Sequence, residues 1–91
     1  MTTKTAARKE LTIQQATREA RRLVDKIMPG VGATVESRGS YDLKTDTPLI
    51  ITRVTFPRDE YGANALALAA QDRLSADVML ADSSVTIRRA R

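Results

Sequence analysis

The chain has 91 residues with no cysteine and no histidine, and its 15 Lys or Arg against 11 Asp or Glu give a formal net charge of +4. A chain of that length holds one small core at most. The missing residue types exclude a disulfide framework, a thiolate or imidazole zinc site, and catalysis by a Ser-His or Cys-His pair.

An apolar fraction of 42% with four glycines and three prolines is the composition of a folded domain. Charge is unevenly spread along it. Residues 1 to 28 carry Lys4, Arg8, Lys9, Arg18, Arg21, Arg22 and Lys26 against Glu10, Glu19 and Asp25, for a balance of +4. The middle is neutral, residues 60 to 82 sum to −3, and the last nine residues add Arg88, Arg89 and Arg91.

Residues 1 to 10 show no apolar periodicity, which predicts a flexible basic arm ahead of a single α+β domain at 11 to 91. No apolar run of signal-peptide length follows the arm. No window approaches the roughly 20 apolar residues of a membrane span. The chain therefore reads as a soluble cytoplasmic protein that makes no membrane contact.

Thr12 with Gln15 three residues on forms a T-x-x-Q capping box, and Leu11 and Ala16 occupy the flanking staple positions. The spacing of Ile13, Ala16, Ala20, Leu23, Val24 and Ile27 predicts a helix over 12 to 28 with one apolar stripe, stopped by Pro29-Gly30. From Ala33 the period becomes two. Ala33, Val35, Ser37, Gly39, Tyr41 and Leu43 alternate with polar residues, as in a strand with one face on a core, and Gly39 is a candidate bulge. A turn at Thr45 to Pro48 leads to LIITRVTF, whose β-branched content predicts a second strand and a hairpin. In it Ile50, Thr52, Val54 and Phe56 share the inner face.

After Pro57, Asp59 is placed to cap a second helix reaching about Leu74, with Glu60 in its first turn and Ala63, Leu66, Ala67, Ala70 and Leu74 as its core stripe. The tail, DVML then SVTIRRA around an Asp82-Ser83 turn, predicts one closing strand or a second hairpin. The predicted architecture is thus a small two-layer α+β domain in the order α-β-β-α-β(β), with a sheet of three to four mostly antiparallel strands and two helices. The halves share little beyond apolar positions, and no repeat is read from them. The element order is similar to that of one form of KH-type RNA-binding domain. No GxxG loop joins two consecutive helices, however, so the backbone clamp of that domain is missing.

Two kinds of surface remain as candidates. Tyr61, Ala65 and Leu68, at i, i+4 and i+7, lie opposite the core stripe of the second helix, while Leu49 and Ile51 point outward from the hairpin. Two apolar stripes on a charged domain predict a protein interface, and the competing account is a sheet covered on both faces by its own helices. Arg18, Arg21, Arg22 and Lys26 lie opposite the core stripe of the first helix, as phosphate contacts would. The competing account here is a solvated face with Arg21–Asp25 and Arg22–Asp25 pairs.

PGVG at 29 to 32 precedes no helix and reads as a turn, and the acid pairs Asp42 with Asp46 and Asp77 with Asp82 read as turn and cap residues. The expectation is a module with no catalytic site, metal, cofactor or small-molecule substrate. It is expected to bind a protein partner or its own copies through Leu49, Ile51, Tyr61, Ala65 and Leu68. The alternative is a duplex-DNA-associated regulator that uses Lys4, Arg8, Lys9, Arg18, Arg21, Arg22, Lys26, Arg88, Arg89 and Arg91. Only three aromatic residues are present, which argues against a single-strand reader.

Overall fold

The computed structural model describes residues 11–57, 62–81 and 83–91. The first helix, α1 (Ile13–Ile27), starts where the capping box places it: Thr12 Oγ1 accepts from the Gln15 N–H at 3.0 Å, and Gln15 Oε1 accepts from the Thr12 N–H at 3.3 Å. Its buried stripe is Ala16, Ala20, Leu23 and Val24. Ile13, expected to open that stripe, is 37% exposed, because burial begins one turn later at Ala16. The helix closes with the Met28 N–H on the Val24 carbonyl at 2.7 Å. The chain then reverses through Gly30 and Gly32, both at φ 76°, a left-handed conformation that glycine takes without the strain a β-carbon adds.

Strand β1 (Thr34–Asp42) pairs antiparallel with β2 (Thr47–Thr55) around a turn in which Asp46 takes φ 56°. There the Tyr41 hydroxyl donates to the Asp46 carboxylate, and this bond, helped by slight desolvation, raises the phenol pKa above its ordinary value. The second helix, α2 (Gly62–Arg73), is followed by a second hairpin of β3 (Asp77–Ala81) and β4 (Ser84–Ala90). The predicted caps of α2, Asp59 and Glu60, lie outside the described residues, as does Asp82 of the last turn. The β2–β4 pairing completes one antiparallel sheet in the order β1-β2-β4-β3. The fold is therefore a compact α+β domain in the order α-β-β-α-β-β.

Both helices lie on one face of that sheet: α1 rests on β1 and β2, α2 rests on β3 and β4, and the helices touch each other. Between the layers sit Leu23, Val24, Val54, Phe56, Leu66, Ala70, Val85 and Ile87, with Ile50 fully buried beside them. The alanines of α2 remove side-chain bulk and allow the helix close to the strands. Only part of β1 gains cover. Val35 is buried, but Tyr41 is 48% exposed and Leu43, in the turn beyond the strand, is 86% exposed. Alternation marks which face a residue takes, whereas cover depends on where α1 ends over the sheet.

One polar string crosses the layers. The Thr17 hydroxyl donates to the Ile13 carbonyl at 2.9 Å and lies 2.7 Å from Ser37 Oγ, which is 2.9 Å from Thr52 Oγ1. Each hydroxyl has one proton, so a consistent direction runs from Thr52 through Ser37 and Thr17 to the carbonyl. Thr52 is 1% exposed, and Ser37 is its side-chain partner. Ser37→Ala should therefore cost about 1–3 kcal/mol by orphaning the buried Thr52 hydroxyl. Adding Thr52→Val should recover part of that loss. Urea unfolding of the two single variants and the double variant measures the coupling.

Candidate functional site

The sheet order gives the molecule an internal two-fold relation. Exchanging the units α1-β1-β2 and α2-β3-β4 returns the same sheet, and the middle pair of the β2–β4 ladder is Thr52 with Ile87. Moving outward through the two hairpin registers from that pair, Arg38 of β1 and Met79 of β3 take equivalent places: Arg38 faces Ile51, and Met79 faces Thr86. The helices align through their buried positions, with Ala16, Ala20 and Leu23 matching Ala63, Ala67 and Ala70. On that alignment Arg18 and Arg21 of α1 correspond to Ala65 and Leu68 of α2. The two halves share a scaffold and differ in surface.

Gly62 to Gln71 contains no charged residue. Ala65 is exposed and Leu68 is 66% exposed, so the uncovered side of α2 carries two apolar residues among Asn64, Gln71 and Asp72. Tyr61, expected to share this face, lies outside the described residues. The free edge of β3 continues the same character, with Met79 64% and Leu80 50% exposed. Its one charge, Asp77, stands opposite Arg88 of β4.

Leu49 and Ile51 lie on the outer sheet face, away from both helices. No helix among the described residues covers this face, so the account of a sheet sandwiched by its own helices does not apply. Yet Leu49 is 9% exposed and Ile51 is half-buried. The register sets Leu49 between Ser40 and Ala90, and Ile51 between Arg38 and Arg88, whose aliphatic stems are long enough to lie over it. A shallow concavity of about 500 Å³ on this face is bordered by Glu36, Arg38, Ile51 and Arg53.

The cations of the alternative reading are not gathered on one surface. Lys4, Arg8 and Lys9 lie outside the described residues. Arg18, Arg21, Arg22 and Lys26 are exposed on α1. The expected pairs of Arg21 and Arg22 with Asp25 do not form: the ion pairs among the described residues are Arg88 with Asp42 at 3.8 Å and Arg89 with Glu19. Arg88 and Arg89 stand on an interior strand and alternate to opposite faces. Arg91 follows β4, with its N–H on the Pro48 carbonyl at 2.9 Å. Glu19, Arg22, Leu23, Lys26, Arg73 and Leu74 also border a groove of about 240 Å³ between the helices.

Two features escape sequence reading. The Glu19–Arg89 pair joins residues 70 positions apart, and nothing in the alternation of DVML shows that β3 is an edge rather than a central strand. No protein-family model, curated protein or solved structure matches the chain. No helix among the described residues is long and apolar enough to cross a membrane.

The burial contrast on α2 makes a direct stability test. Leu66 is 0% exposed, so Leu66→Asp should unfold the domain by placing an unpaired carboxylate in the core, a penalty of several kcal/mol. Leu68→Asp should leave stability within about 0.5 kcal/mol of the parent. Far-UV circular dichroism with thermal melting separates the two outcomes.

Proposed function

We propose that the chain is a protein-assembly module whose association surface is the α2 and β3 side of the fold. One observation carries this reading: where the first half presents Arg18, Arg21 and Arg38, the second half presents Ala65, Leu68 and Met79 on the same scaffold. Solvent-facing helix positions ordinarily carry charge, whereas the exposed side of α2 has no charge before Asp72 and sets Leu68 in water. The outer-face residues Leu49 and Ile51 offer little exposed area and are secondary in this reading. Mass in solution tests it. The parent chain should exceed its 10.0 kDa monomer mass, and Leu68→Asp should lower that mass while far-UV dichroism stays native. A parent that remains a single chain at high concentration overturns self-assembly.

A second reading, association with duplex DNA, is favoured by the four exposed α1 cations, which have no carboxylate partner among the described residues. Each phosphate neutralised on B-DNA releases counterion and steepens the salt dependence of binding. Replacing Arg18, Arg22 and Lys26 together by Gln should then weaken duplex binding and flatten its dependence on salt. Fluorescence anisotropy at two salt concentrations reads both. Unchanged binding, or no binding by the parent at low salt, removes this reading.

A further inference from the structure

Resting on the assembly reading, we infer that the occupant of this surface is a second copy of the chain, joined edge to edge through β3 on a two-fold axis at Met79. Among the described residues, strand β3 pairs with β4 on one side only. Alternate residues along it therefore turn backbone N–H and C=O groups toward the open edge, about four to six groups over its length. Natural edges are usually guarded by charge, proline or a bulge. Edge strand β1 carries Glu36 and Arg38. Edge strand β3, DVMLA, has only Asp77, whose cross-strand neighbour within its own sheet is Arg88.

The sequence of β3 complements itself. Antiparallel pairing centred on Met79 sets Met79 against its own copy on the outer face, and sets Val78 against Leu80 twice on the helix face. Val78 and Leu80 are both only partly covered within one chain. Asp77 falls opposite Ala81, so the two carboxylates stand at opposite ends of the new ladder, about 13 Å apart at the rise of a strand. No like charges meet.

The helices give the independent argument for a second copy. Helix α2 rests over both β3 and β4, and adjoining sheets would place the two copies of α2 about two strand spacings apart. That is about 10 Å, one helix-packing distance. The flank of α2 toward α1 is marked by Gly62 against Met28 and by Arg73 in the groove between the helices. On the helical wheel the flank turned away from α1 holds Asn64, Leu68 and Gln71, at i, i+4 and i+7. All three are exposed and uncharged. Edge pairing of two copies thus brings Leu68 to the seam between two helices and buries it there, whereas an isolated strand from another protein would bring no helix at that height.

Opposite charges introduced at Met79 test this, because the residue is exposed and lies on the proposed axis. The full chain should have twice its monomer mass by light scattering. Met79→Lys and Met79→Asp should each fall to the monomer mass, with native far-UV dichroism. Mixed in equal amounts, the two should return to the doubled mass, which requires that residue 79 of one chain face residue 79 of the other. A parent at the single-chain mass overturns this inference together with self-assembly. A doubled parent mass that persists in Met79→Lys, or a mixture no heavier than its components, overturns the edge pairing alone and leaves self-assembly standing on another surface.

Discussion

Everything in this fold hangs on the antiparallel ladder between β2 and β4, from Leu49 with Ala90 to Thr55 with Ser84. Each α-β-β half alone is a hairpin and a helix, too few strands and too little apolar area to persist in water. The ladder joins the halves and sets Ile50, Thr52 and Val54 beside Val85, Ile87 and Arg89 on one face. Only then is there a platform wide enough for both helices. Closing it orders a long stretch of chain, and the offset comes from the most deeply buried side chains: Ile50, Val54, Leu66, Val85 and Ile87.

Local chemistry was legible because it is local. The capping box, the change of period at Ala33 and the β-branched run at 49 to 56 each depend on neighbours within a few residues. They placed α1, β1 and β2 to within a residue or two. What escaped depends on residues distant in the chain. Leu43 continued the alternation of β1 yet lies in the turn, since a period of two says nothing about where a covering helix ends. Asp25 had Arg21 and Arg22 within reach along the helix, but no pair formed there. Glu19 instead meets Arg89, across the layers. An exposed helix surface returns only a few tenths of a kcal/mol for such local pairs and holds no geometry in place.

The candidate surfaces divide in the same way. Periodicity alone placed Ala65 and Leu68 on the uncovered side of α2. The free edge of β3 required the strand order, which turns on which central strands pair, and that is not encoded in any short window. The pseudo-symmetric arrangement was equally hidden, because the halves share burial positions and few residue identities. Once visible, it supplies an internal control. Arg21 and Leu68 occupy matching places on one architecture, so the scaffold itself does not require their difference.

The two edges of the sheet differ in a way that bears on how large any assembly grows. A sheet with two apolar edges adds copies at both ends and lengthens without limit, the route by which native domains become fibres. Here Glu36 and Arg38 occupy the edge on β1. Pairing β1 with its own copy around Arg38 would set two guanidinium groups face to face. Pairing it with β3 around Arg38 and Met79 would strip water from Glu36 and Arg38 and set them opposite Ala81 and Met79. If copies pair through β3 as proposed, the charged strand at the other edge disfavours further addition there and a finite particle is the expected result.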